Sequence, residues 1–371
     1  MAVANFQKFK NEKEASHLPF LAAIEAWPSP VNPEQLFDDL IDALSEYVYC
    51  DHETAVATVL WSIGTHFVDH CQIYPMAMIT APEAESGKST LMDFMMEIVA
   101  RPLNASHATT SSLFRVLEYK PTLLIDETDT FVAGNEELRG LLNSGHSRSG
   151  AVLRCDGKNN EVTSFPTYGA KALSGIGNKT LHETLVSRSI ILEMGRKPKE
   201  IRLKNISANK VKLMVLKRKI VRFEQDVSEV FLEIKPTIPS WLGNRQEQNW
   251  TPILKLASLA GTWHEAAYLV CETLTARGKK KSTSEALLES IREIFDTHGD
   301  HQIKSAILLD DLVKMEDSRW AAYNRGGKPI AALQVANILK EHKIFPEYDS
   351  RRTARHYSRA SFEKAWEVYL G

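Results

Sequence analysis

Residues 82–90 read Pro82-Glu83-Ala84-Glu85-Ser86-Gly87-Lys88-Ser89-Thr90, between a short apolar run and a helix-forming stretch. The run before it, Tyr74-Pro75-Met76-Ala77-Met78-Ile79-Thr80, has the composition of a buried strand, and Ser89 to Ala100 has helical spacing. A loop in that position turns backbone N–H groups and a helix N-terminus toward a polyphosphate. Lys88 can then reach the β/γ oxygens and Ser89 can offer a hydroxyl to Mg²⁺. Glu85, Ser86, Gly87, Lys88, Ser89 and Thr90 are therefore the candidate nucleotide-binding residues. One position departs from the usual pattern. Pro82 stands where a glycine is common, and proline donates no N–H and holds φ near −65°.

A second apolar run, Thr122-Leu123-Leu124-Ile125-Asp126, ends in the acids Asp126 and Glu127, with Leu124 placed 37 residues after Gly87. An aspartate at a strand's carboxyl end can hold magnesium through water, and Glu127 can orient and deprotonate the attacking water. Glutamate beside that aspartate favours an ATPase motor over a kinase. A further strand, Lys171 to Ile176, is expected beside these two, with Ser174 or Asn178 near the γ-phosphate. Arg188, just before the strand Ser189 to Glu193, is placed to reach a neighbouring subunit's γ-phosphate in a ring. Arg139, Arg148 and Arg154 compete for that role.

The remaining elements alternate. Helices are expected over Glu34–Tyr49, from Asp51 or Thr54 to about Asp69, around Ser112–Glu118 and over Glu136–Asn143. A hairpin, Ala151–Asp156 with Glu161–Ser164, is tipped by Lys158-Asn159-Asn160. Strands alternating with helices across 74–195 imply an α/β fold with a mainly parallel sheet. The expected organisation is a helical region 1–70, a P-loop core 71–195, a basic helical lid 196–276 and a C-terminal helical piece 277–371. Two helices and a basic strand pair make that last piece compatible with a winged helix.

The chain has 371 residues, 43% of them hydrophobic and 25% charged, and a net charge of −2. Total charge therefore points to no partner class, and only local clusters are informative. One cluster is Arg196 to Arg222, with eleven Lys or Arg and one acid, Glu200. Another is Arg351, Arg352, Arg355 and Arg359. Both can bind phosphates by counterion release, and both can equally be solvated helix faces. Tyr357 and Trp366 can stack bases or belong to a core, and His66 and Asp69 read as structural. Cys50, Cys71, Cys155 and Cys271 show no CxxC spacing. The longest apolar stretch, Ala55 to Gly64, is too short for a bilayer, and the opening residues lack a signal-peptide core. Secreted disulfide scaffolds, membrane proteins and zinc ribbons are excluded, and a cytoplasmic location is expected.

Taken in order, several segments resemble a family of phage- and mobile-element-associated P-loop ATPases, catalogued as a domain of unknown function and often joined to TOPRIM-type primases. They are Ala81-Pro82-Glu83 with Ser86-Gly87-Lys88-Ser89-Thr90, Leu124 to Phe131, Leu138 to His146, Ser174-Gly175-Ile176-Gly177 and Ser187-Arg188-Ser189-Ile190. Arg245 with Asn249-Trp250-Thr251-Pro252-Ile253-Leu254 and Ala260-Gly261 continue the series, so the resemblance covers roughly residues 50 to 365. It implies an AAA+ or helicase-like replication ATPase with a helical C-terminal part. The chain departs from the family at Ala84, Glu85 and Ser86, where glycines or proline are usual, and Glu85 beside phosphate is expected to weaken nucleotide affinity. No primase domain is present, so priming would fall to a partner.

The resulting expectation is an ATP- and Mg²⁺-dependent DNA helicase or translocase of a mobile element or prophage. It would act as a hexameric ring, with Lys158 at the hairpin tip contacting single-stranded DNA, as in superfamily-three helicases. The alternative is a regulatory ATPase that loads or remodels a protein partner, in phage defence for example. A degenerate P-loop that binds DNA without turnover is a third reading.

Overall fold

The computed structural model describes residues 18–106, 108–128, 132, 134–156, 161–176, 182–278, 283–315, 318–324, 326–348 and 354–370. The chain divides into two compact units, Met1–Gly278 and Lys279–Gly371.

In the first unit, helix α1 (Pro33–Tyr47) starts at Asn32, whose side chain accepts from Gln35 N–H. Asp51 caps α2 (His52–Gly64) by accepting from Thr54 N–H at 2.8 Å. The expected continuation of α2 to Asp69 is instead a 3₁₀ segment, Thr65–His70. Thr65 Oγ1 donates to Ser62 O and accepts Ala100 N–H, and this diversion of its hydroxyl tightens the last turn.

Five strands form one parallel sheet: β1 (Met76–Ala81), β2 (Pro102–Asn104), β3 (Thr122–Ile125), β6 (Lys171–Ile176) and β7 (Ser189–Glu193), in the order β2-β3-β6-β1-β7. The third expected strand thus lies between the other two. The short edge strand β2 was not expected. Side chains of a strand alternate between its faces. Ala77, Ile79 and Ala81 of β1 join the core shared with α1, α2, α3 (Lys88–Ile98) and the later helices, while Met76 and Met78 join a second core. That second core is built from α4 (Thr110–Val116) and α5 (Glu136–Ser144), with Leu185 from the short α6 (Glu183–Val186). A sheet covered on both faces explains why its strands read as continuous apolar runs.

Outside the sheet, β4 (Ala151–Asp156) and β5 (Glu161–Pro166) pair as the expected antiparallel hairpin. Its tip, including Lys158, lies outside the described residues. Val152 and Phe165 pack on the second core, and Leu153 and Val162 are two-thirds exposed. Helices α7 (Lys210–Glu233), α8 (Asn244–Ala257) and α9 (Trp263–Gly278) complete the first unit.

The second unit runs α10 (Thr283–His298), β8 (Gln302–Lys304), α11 (Ser305–Lys314), α12 (Ala332–Glu341), β9 (Glu347–Tyr348), β10 (Arg355–Ser358) and α13 (Ala360–Tyr369). β10 pairs antiparallel with both β8 and β9. Tyr357 and Trp366 are buried here, with Trp366 Nε1 donating to Leu288 O, so both belong to the core. Among the described residues no helix is long and apolar enough to cross a membrane.

At the amino end of β6, the fully buried Lys171 Nζ donates to three backbone carbonyls, of Gly145, Thr167 and Gly169, at 2.8–3.1 Å. Gly145 must be glycine, because a Cβ there would collide with Thr167 O and Lys171 Nζ. Burial pushes the Lys171 amine from 10.5 down to about 7. In the interval between those values the unfolded chain binds more protons than the folded one, so Lys171 makes stability rise with pH there. Lys171→Met is predicted to flatten that rise in urea unfolding measured from neutral to alkaline pH. An unchanged slope would show that Lys171 is charged in the fold.

Candidate nucleotide site

The loop after β1 closes on itself. Ser86 Oγ donates to Glu83 O at 3.0 Å, and Lys88 Nζ donates to the same carbonyl at 3.2 Å. Gly87 sits at φ +80°, a conformation that costs glycine nothing, and forms the N-cap of α3. Glu85 takes φ +58°, where a side chain is strained.

The carboxyl ends of β1, β6 and β3 share one rim. From there Ser89 Oγ, in the first turn of α3, donates to Asp126 Oδ2 at 2.8 Å. Asp126 is anchored by its own N–H, which donates to Ser106 Oγ at 2.9 Å, and its Oδ1 accepts Glu127 N–H. Glu127 is exposed and also left-handed, at φ +55°, so the chain turns sharply away just past Asp126. Strained backbone of this kind concentrates where a side chain must be aimed. Burial first, and the neighbouring Asp126 second, raise the Asp93 carboxyl above its ordinary range. A hydroxyl, a carboxylate and a nearby second carboxyl are hard oxygen donors of the kind magnesium takes.

Beside this rim lies a pocket of about 380 Å³, lined by Glu85 through Thr90, by Tyr47, Val48 and Tyr49, and by Lys197 and Leu203. It brings together all six expected nucleotide-binding residues of the loop. Its other walls, from the end of α1 and the segment after β7, carry no motif and were not foreseen. Ser174 follows Leu173, the partner of Ile125, and is therefore level with Asp126. It is fully buried, and its hydroxyl has no hydrogen-bond partner among the described residues. Asn178 lies outside the described residues.

Arg188 sits at the opposite end of the sheet. Ser189 pairs with Met76 and Glu193 with Thr80, so Arg188 is roughly 16 Å along the strands from the loop that follows Ala81. It cannot act on a ligand of its own loop. Its competitors are engaged: Arg139 with Glu136, Arg154 with Glu137 and over the Phe114 ring, Arg148 on Asp69 O. His66 Nε2 donates to Ile98 O at 2.9 Å, and Asp69 pairs with Arg101 and Lys120.

The basic tract is extensively paired. Seven of its eleven cations form ion pairs: Arg196 with Glu83, Lys204 and Lys212 with Glu46, Lys210 with Glu97, Arg218 with Glu25, Lys219 with Asp39 and Arg222 with Asp226. Lys217 is buried. Each exposed pair contributes little stability, but together they offset much of the field that the tract's composition suggested. In the second unit Arg355 donates to Tyr348 Oη and Arg359 pairs with Asp296, while Arg351 and Arg352 lie outside the described residues.

Residues 195–369 match a protein family described as being of unknown function, DUF3631; the matched stretch follows the sheet and does not include the loop–Asp126 site. No curated protein matches the chain.

The strain at Glu85 yields a prediction. Glu85→Gly relieves a left-handed side chain, which costs about 1–2 kcal/mol, and removes an acid from the pocket. It should raise the unfolding free energy by about 1 kcal/mol and tighten ATP binding measured by calorimetry. Weaker binding by the glycine variant would show that Glu85 instead contributes to the site.

Proposed function

We propose that the chain is a P-loop ATPase with an AAA+-like core that acts on DNA as a ring oligomer, as a helicase or translocase in the replication of a mobile element. The observation that carries the ATPase reading is the Ser89–Asp126 contact, which joins the phosphate-loop helix to the acidic end of a strand one position removed in a parallel sheet. Lys88 would neutralise the β/γ oxygens while the loop's N–H groups and the α3 N-terminus orient them. Bound magnesium would neutralise charge developing between the transferred and leaving groups. Ser89 and Asp126 would hold that ion, and Ser174 lies level with Asp126. Glu127, aimed past Asp126 by its left-handed backbone, would take the proton of the attacking water. Arg188, a strand's length from its own loop, would serve the adjacent protomer of a hexamer.

DNA as the target is supported by the hairpin and by the helix–strand–helix–helix–strand–strand order of the second unit, which fits a winged helix. In that reading α12 is the groove-facing helix, and its Leu333, Asn337 and Lys340 are exposed. Lys158 would track single-stranded DNA, and a primase would be a separate partner. The ion-paired state of Arg196–Arg222 favours the second reading, a nucleotide switch that remodels a protein partner.

Lys88→Ala should reduce ATP hydrolysis on the order of 10²–10³-fold, and Glu127→Gln should lose turnover while still binding nucleotide. Single-stranded DNA should stimulate the wild type. Hydrolysis that needs Lys88 but ignores DNA would select the remodelling switch. Hydrolysis indifferent to Lys88 would remove the ATPase reading.

A further inference from the structure

Arg188 does not stand alone. Arg245, in the first turn of α8, comes to the same end of the sheet through a short chain of buried polar groups. Asn249, one turn further along α8, donates through Nδ2 to Ser187 O at 3.1 Å, so its Oδ1 is the end that faces His146 Nε2 at 2.9 Å. An amide oxygen only accepts, so the proton sits on Nε2 and His146 Nδ1 is left as an acceptor. The guanidinium of Arg245 approaches that nitrogen, with Nη1 3.5 Å from Nδ1, and also donates to Gln248 Oε1 at 2.9 Å. His146 and Asn249 are both nearly inaccessible, at 3% exposure each. Burial lowers the His146 pKa to about 4, so the ring stays neutral and keeps its acceptor at physiological pH.

Arg188 directly follows Ser187, the residue that Asn249 holds, and donates through Nη1 to Thr184 O at 2.8 Å. Burial, and then Arg245, lower the Arg188 pKa, as expected of two neighbouring cations. Among the described residues neither arginine has a carboxylate partner, whereas half of the lysines and arginines described in this unit do. Two guanidiniums held together by neutral groups, partly exposed and without a counter-charge, form a site for a multiply charged oxyanion.

We propose that Arg188 and Arg245 form a two-arginine clamp that grips the triphosphate bound at Lys88 and Ser89 of the adjacent protomer, with His146 and Asn249 positioning Arg245. The proposal rests on the nucleotide-binding part of the proposed function and adds a second arginine, with its supporting residues, to the partner-supplied half of the site. The clamp lies a strand's length from its own loop, so it completes a site only when a second copy is docked. A helicase and a protein remodeller would use it alike, because it acts on nucleotide rather than on the target.

The test uses full-length wild type, Arg245→Ala, Arg245→Lys and Lys88→Ala. Arg245→Ala should keep the wild-type melting temperature and its affinity for a fluorescent ATP analogue at low protein concentration, where protomers are separate. Its turnover should fall on the order of 10²-fold, and it should need higher concentration to assemble with a non-hydrolysable ATP analogue in sedimentation velocity. Arg245→Lys, lacking the planar fork, should recover only part of either property. Mixing Arg245→Ala with Lys88→Ala should restore hydrolysis, because the second chain presents intact arginines to the intact phosphate loop of the first. Wild-type turnover and assembly in Arg245→Ala would overturn the clamp and leave the ATPase reading intact. So would loss of turnover that mixing does not restore in co-assembled protein, which would mark a role within one chain. Absence of hydrolysis by the wild type would overturn the ATPase reading itself, while nucleotide-driven assembly that still needs Arg245 would keep the clamp.

Discussion

The 2.8 Å contact between Ser89 and Asp126 depends on strand order. Parallel strands bring all their carboxyl ends to one rim, and β6 lies between β1 and β3, so the loop after β1 and the acids after β3 sit two strand spacings apart. That gap is bridged by the first turn of α3, which packs against β6 and β1. If β1 and β3 were direct neighbours, the helix start would crowd the acidic pair. The two cores that cover the sheet hold this order through the alternation of Met76, Met78, Leu123, Ile125 and Leu173 on one face with Ala77, Ile79, Leu124 and Ala172 on the other. The geometry of the rim is thus set by apolar packing, and polar groups only refine it.

The refinement costs local stability. Glu85 and Glu127 both hold left-handed backbone that glycine would adopt more cheaply; Glu85 lines the pocket and Glu127 follows Asp126 at the rim. Away from the rim the polar groups are satisfied in a different way. Lys171 is capped by three carbonyls, and His146 and Asn249 are matched donor to acceptor. The rim at the strands' carboxyl ends therefore keeps exposed groups, while the far end of the sheet has a hydrogen-bonded frame carrying two arginines with no carboxylate partner among the described residues. This polarity along the strands is what a site shared between two copies would need.

Much of this was legible in the sequence because it follows from local chemistry. Gly87, Lys88 and Ser89 next to an apolar run, and Asp126 and Glu127 after another, specify a strand, a turn and a capped helix without tertiary information. The hairpin followed from alternation around a turn-prone tip. The three-residue β2 was not legible, since it carries no period and begins with a proline that only an edge position tolerates. The pocket walls at Tyr47–Tyr49 and Lys197 are ordinary residues brought there by packing. The pairing of the basic tract was not legible because its partners, Glu46, Glu97, Asp39 and Glu25, lie more than a hundred residues earlier. Arg245 and Asn249 stood out as a motif, but their meeting with His146 and Ser187 is a fact of the fold alone.

The most direct test of the central claim is an experimental structure of the protein with Mg²⁺ and a non-hydrolysable ATP analogue. The account predicts the triphosphate against Gly87, Lys88 and Ser89, magnesium on the Ser89 hydroxyl with Asp126 holding it through water, and the nucleoside toward Tyr49 and Leu203. Phosphates bound elsewhere, or an empty loop at saturating nucleotide, would contradict it.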